Sequence, residues 1–166
     1  MATKPEAWQT GPVPGVTPLL QPVAHALMNC AEQIEDAIRS LTPAQLAARP
    51  ANAASIDFHV RHAIGSLDRL FTYARGEPLS DSQREYLSSE KALSGLTSRE
   101  LIDLFNAAVD QALSQLRATD ASSLTDARTI GRAQLPSTVI GLVFHGAEHT
   151  ARHTGQVVTM SKIVSA

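Results

Sequence analysis

The chain has 166 residues, 43% of them hydrophobic and 18% charged, which suits one globular domain with its own core and excludes a disordered or fibrous protein. Fourteen Lys+Arg against sixteen Asp+Glu give a net charge of −2 with no basic block, so nucleic acid is not an expected partner. The single cysteine, Cys30, excludes an internal disulfide and a cysteine-cluster zinc site. No apolar run is long enough to span a bilayer, and the polar, proline-rich start lacks a signal-peptide pattern; the expected location is cytoplasmic, away from membranes.

Residues 1–18 carry Pro5, Gly11, Pro12, Pro14, Gly15 and Pro18 and read as an irregular lead-in, packed on the surface through Trp8. From Leu19 to about Leu41, Leu20, Val23, Leu27, Ile34, Ile38 and Leu41 recur at helical spacing, and Pro22 fits the first turn. Thr42-Pro43-Ala44-Gln45 reads as a cap opening one short turn that ends near Pro50. A second long helix is predicted over about Ser55–Arg75, stopped by Gly76 and Pro78. Ser80–Lys91 suits a short surface helix. Thr97-Ser98-Arg99-Glu100 is a capping-box pattern opening a third long helix. Thr119–Pro136 holds one candidate strand around Ala127–Leu135, and Pro136-Ser137-Thr138 is expected to open a last helix running to about Ile163. Four amphipathic helices predict an all-α protein, an antiparallel four-helix bundle over residues 19–163 with short extra helices in its connections.

Histidine placement is the strongest functional signal. His145, His149 and His153 are each four residues apart on the last helix, and a step of four turns a side chain by only about 40°, so they share one stripe at the border of the core-facing surface. Arg152 and Gln156 fall in the same arc. His59 and His62 lie three apart on the second helix. An i, i+4 pair can offer two imidazole nitrogens to one ion, and a third histidine from a facing helix completes a site with open positions. Zinc suits such ligands; nickel, iron and cobalt are also acceptable. Spacing goes no further than that.

Two segments together resemble the DinB-like (damage-inducible B) family. They are Arg61-His62-Ala63-Ile64-Gly65-Ser66-Leu67-Asp68-Arg69-Leu70 and Glu148-His149-Thr150-Ala151-Arg152-His153-Thr154-Gly155-Gln156. The family pattern is a histidine in the second helix followed by a small-residue stretch, with HxxxHxGQ in the last. The resemblance implies an up-up-down-down type of bundle, frequently a homodimer, and a divalent metal, zinc or nickel, held by His62, His149 and His153. It also implies a small-molecule substrate. Characterised relatives include mycothiol-dependent maleylpyruvate isomerase and bacillithiol S-transferases, which points to a low-molecular-weight thiol; other members are described as metal-dependent hydrolases. A tryptophan common before the second helix in relatives is absent from Ala53-Ala54-Ser55-Ile56. On a helical wheel His59 lies nearer the centre of the apolar face than His62, so geometry slightly favours His59 while the family pattern favours His62. His145 is open to three roles: fourth ligand, outer partner or substrate contact.

Glu148, Arg152, His145 and Gln156 are the candidate catalytic residues. Glu148 is a possible ligand or general base, and Arg152 a possible anion binder, but an i, i+4 ion pair between them explains both. His25, with Glu32 seven residues on, is read as a satisfied histidine rather than part of the same cavity. Cys30, on an apolar helix face, is read as buried and inert. Asp68 and Arg69 are read as pointing well away from His62 and making contacts between helices. The expected chemistry is activation of a thiol or water nucleophile. The competing class is a non-catalytic bundle that binds a metal or ligand.

Overall fold

Helix ends in this sequence are marked by side chains that take up orphaned backbone N–H groups. In the computed structural model, which describes residues 5–166, Ser55 accepts from Phe58 N–H at 3.2 Å, and Thr138 accepts from Gly141 N–H at 3.1 Å. Thr97 and Glu100 form the expected reciprocal capping box, as do Thr42 and Gln45. The elements are α1 (Gln21–Ile38), α2 (Pro43–Ala47), α3 (Ile56–Ala74), α4 (Asp81–Ser89), α5 (Ser98–Ala118), β1 (Ala127–Ile130), β2 (Leu135–Thr138) and α6 (Val139–Ser165).

The four long helices bury one shared core. Leu20, Leu27, Ile34 and Ile38 meet Ile56, Val60, Leu101, Phe105, Leu116, Leu142 and Val143, all essentially without solvent contact. Each such side chain contributes about 1.5–3 kcal/mol through burial. Helices α3 and α6 approach closely at Gly146, where an added Cβ would stand 3.1 Å from the Phe71 ring and 3.4 Å from Leu67.

Helix directions follow from contacts at the ends. Ser98, opening α5, donates to the Leu41 carbonyl just beyond α1, while Arg117 at the other end of α5 donates to the Pro14 carbonyl just before α1; α1 and α5 are antiparallel. Ser94, just before α5, bonds to Asp57 at the start of α3, and Gln115 near the end of α5 donates to the Phe71 carbonyl. So α3 and α5 run the same way. The histidine contacts between α3 and α6 run in opposite order, His59 with His153 and His62 with His149, which makes that pair antiparallel. The order is down-up-up-down. The all-α bundle is present, but the up-up-down-down arrangement is not: that order needs two parallel consecutive pairs, each with a long return connection, whereas here only α3 and α5 are parallel and the chain reverses direction from α1 to α3 and from α5 to α6. Residues 75–97 make the return between α3 and α5. They carry α4 back along α3, with Gln83 donating to Asp68 and Thr72, and Tyr86 to the Arg61 carbonyl.

Two local expectations are corrected. Residues 1–4 of the lead-in lie outside the described residues, but Trp8 is 59% exposed and does not anchor the rest. The lead-in docks instead through buried Ala7, Val13 and Val16, helped by Gln21, whose side-chain amide donates to the carbonyls of Val13 and Val16. In place of the single strand expected around Ala127–Leu135 there is a two-stranded hairpin, in which that stretch covers β1, the turn and the start of β2, and Pro136 and Ser137 belong to β2 rather than to α6. Proline is tolerated there because a two-stranded ribbon has only edge strands. Gly131 and Gln134 supply the positive φ angles of the hairpin turn.

Candidate metal centre

His62, in the second turn of α3, and His149 and His153, in the middle of α6, converge near the N-terminal end of α3. One ring nitrogen from each lies within 4.8 Å of the others, and the three residues are half-buried. His62 Nε2 and His149 Nε2 stand 3.1 Å apart, within reach of two metal–nitrogen bonds of about 2.0–2.1 Å each. The antiparallel α3/α6 pair explains the meeting: a helical step of four keeps His149 and His153 on one face, and Gly146, one turn before His149, lets α3 come close.

Two of the three histidines, His149 and His153, are driven toward the neutral form that a metal requires. Burial, followed by the charges of His149, His62, His59 and Arg152, lowers the His153 pKa to about 4. His149 is lowered by burial and then by the charges of His62, Arg152 and His145, and His59 by burial and then by His62. Three imidazoles of which two are driven toward the neutral, lone-pair-bearing state fit a divalent ion, and this three-histidine site could bind one.

His59 stands behind the cluster. It is 7% exposed, consistent with its place on the apolar face, and its Nδ1 lies 2.9 Å from His153 Nδ1. That contact engages one nitrogen of His153 and leaves Nε2 for other use. Phe58 stacks on His62 with ring centroids 5.3 Å apart and planes 8° from parallel.

Behind His62 lies a residue the sequence did not single out. Glu90, at the end of α4, accepts from His62 Nδ1 at 2.7 Å and from Arg69 at 2.6 Å, with its side chain 3% exposed. Burial alone would push its carboxyl up; the hydrogen bonds and charges of His62 and Arg69 outweigh that and hold it below the ordinary glutamate value. Contrary to the wheel expectation, Arg69 does not point away from His62. It sits seven residues, about two turns, further on and returns to the same stripe. Asp68 does make the expected contact between helices, to Gln83.

The other candidates form an outer rim. Arg152 pairs with Glu148 at 2.7 Å and reaches His149 Nδ1 at 3.2 Å. His145 is about half exposed and lies 3.4 Å from Glu148; its ring centroid is 5.8 Å from that of His149. Gln156 is exposed, and its side chain makes no hydrogen bond among the described residues. His25 bonds to the Gly11 carbonyl at 3.0 Å on another face. Cys30 is buried, and burial pushes its thiol up against the weaker effect of a hydrogen bond with Thr154. A groove of about 830 Å³ lined by Tyr73, Arg84, Arg128 and Arg132 lies toward the other end of α3. No described helix is long and apolar enough to cross a membrane.

A helical bundle with three histidines facing one another from two helices defines a recognisable class. Residues 26–157 match the DinB superfamily, and the chain belongs to it. Among solved structures, a conserved protein from Enterococcus faecalis superposes with a TM-score of 0.72 at 19% identity, over 87% of this chain and 96% of that one; at this identity the likeness concerns the fold. No curated protein matches the sequence.

Proposed function

We propose that the protein is a divalent-metal-dependent enzyme that transfers a low-molecular-weight thiol to a small electrophilic substrate, with His62, His149 and His153 as the ligands. When bound, zinc or nickel would supply positive charge that stabilises a deprotonated nucleophile. The observation that carries the reading is how the nearby acids are committed: Glu90 to His62 and Arg69, Glu148 to Arg152. Water starts from a pKa of about 15.7 in bulk and about 9 on aqueous zinc, so hydrolysis draws on the metal, and on a nearby carboxylate where one is free, more heavily. A thiol starts near 8.5 and needs far less help. The chain's own thiol does not compete, because Cys30 is buried and its pKa raised. On the exposed side of the cluster, the rim of His145, Glu148 and Arg152 is where a polar substrate would be met.

The test is elemental analysis of untagged protein, followed by assay of the metal-loaded form with panels of thiols and activated electrophiles. One ion per chain with thiol-dependent loss of the electrophile supports the proposal. Ester or amide cleavage without any thiol favours the hydrolase instead, and bound metal with neither activity favours a binding bundle. Cys30 is expected to stay unmodified by a thiol-specific reagent until the protein is unfolded, which keeps that assay clean.

A further inference from the structure

The parallel α3/α5 pair forces residues 75–97 to run back along α3, and this return path delivers a carboxylate to the rear of His62. We propose that Glu90 is the positioning residue of the metal centre: fixed by Arg69, it holds His62 in the Nδ1–H tautomer so that Nε2 faces His149 and His153, and Gly65 is the gap that admits it. The proposal rests on the metal-binding reading above and adds to it what sets the direction of one ligand.

Four observations carry it. First, an ionised carboxylate only accepts hydrogen bonds, so the 2.7 Å contact requires the proton of a neutral His62 to sit on Nδ1. The lone pair is then on Nε2, the nitrogen 3.1 Å from His149 Nε2. Second, Glu90 is not itself placed as a ligand. Oε2 is taken by His62 and Oε1 by Arg69, and Glu90 is not among the groups that converge with the three histidines. Third, the backbone around it is already fastened. Arg61 donates to the carbonyls of Ser89 and Ala92, and Ser94 N–H and hydroxyl both bond to Asp57. The crossover is pinned on either side of Glu90, so the ion pair is not required to dock it.

Fourth, the helix surface is cut away to receive the carboxylate. A Cβ at Gly65 would stand 2.6 Å from the Tyr86 ring and 2.8 Å from the Arg69 guanidinium, and would collide with Glu90 Oε1. Gly65 has no positive φ to require glycine, and glycine inside a helix costs about 0.5–1 kcal/mol relative to alanine. Space for Glu90 and its neighbours is the physical reason for a glycine at this position. A carboxylate behind a metal-binding imidazole fixes its tautomer and raises its basicity, and losing such a partner typically costs about 10–100-fold in metal affinity.

The experiment uses Glu90→Ala, Glu90→Gln, Gly65→Ala and Ser94→Ala in the full chain, with two readouts. The first is the tautomer of His62 from its ring ¹⁵N shifts in metal-free protein. The second is zinc affinity by competition with a chromophoric chelator, with circular dichroism to verify folding. Expected for Glu90→Ala are loss of the Nδ1–H preference and about 10–100-fold weaker zinc binding. Glu90→Gln keeps a neutral acceptor and falls between wild type and alanine. Gly65→Ala, which displaces the carboxylate, follows Glu90→Ala, and Ser94→Ala, which loosens the crossover but spares Glu90, stays within about twofold of wild type. Wild-type affinity and an unchanged tautomer in Glu90→Ala would overturn the proposal alone. Equal losses in Ser94→Ala and Glu90→Ala would reduce Glu90 to a staple of the crossover and overturn it as well. No zinc binding by the wild type would remove the metal reading, and the positioning role with it, whatever the tautomer.

Discussion

The two walls of the histidine cluster are built differently. On the α3 side His62 is backed by a buried ion pair, a glycine cut-out and a crossover fastened by Asp57 and Arg61. On the α6 side His149 has behind it only the exposed Arg152–Glu148 pair and the outward-facing His145. His153 is intermediate, leaning on buried His59. One wall takes its geometry from distant parts of the chain, and the other from its own helix and from the close approach at Gly146. A designer would recognise the first as a supported site and the second as an adaptable rim. Rigidity is therefore expected to be concentrated at His62, and tolerance to change at residues 145, 148 and 152.

The comparison breaks most sharply at the three clustered histidines. His62→Ala is expected to abolish zinc binding measurable by chelator competition, and His149→Ala likewise. His59→Ala, which removes an outer partner, should cost about 10–100-fold. Retention of stoichiometric metal by His62→Ala together with its loss in His59→Ala would show that His59, not His62, faces the ion. Next comes the spacing of the two walls. Gly146→Val places branched carbons against Phe71 and Leu67, and overpacking of this kind costs about 1–3 kcal/mol, to be read from the urea midpoint at unchanged m-value. The smallest effect tests the rim. Arg152→Ala breaks an exposed ion pair and is expected to change stability by about 0.5 kcal/mol or less and to leave zinc affinity near wild type. A loss as large as that of His59→Ala would mean that the two walls are equally supported.

Much of the scaffold was legible because its signals are local. Thr42, Thr97 and Thr138 each act within three residues of themselves, and the His149–His153 spacing puts both rings on one face without reference to any other segment. Glu90 was not legible. It is 28 positions from His62, it follows a stretch of Asp, Ser, Gln, Arg and Glu that reads as solvated surface, and no periodicity links it to α3. Arg69 is a plainer case: its seven-residue distance from His62 is close to a helical repeat, which puts it on the same stripe and not away from it. Helix direction was hidden for a related reason. The amphipathic faces of α3 and α5 are the same whether the two run parallel or antiparallel, and only the end contacts of Ser94 and Gln115 distinguish them. Pro136 looked like a helix opener because proline suits a first turn, yet the pairing of Thr129 with Pro136 claimed it for the ribbon.

The hairpin between α5 and α6 has a practical consequence. Its tip, Gly131 to Gln134, carries exposed Arg132 and Ala133 and is tied to the bundle through its base, where Arg128 donates to the Ala74 carbonyl. Ala74 is twelve residues from His62 along α3, about 18 Å at a helical rise of 1.5 Å per residue. An affinity handle or a fluorescent reporter spliced between Arg132 and Ala133 would sit in solvent at the opposite end of α3 from the histidines. The outwardly similar polar stretch over residues 81–94 offers no such freedom, since a splice there would pull the carboxylate off His62.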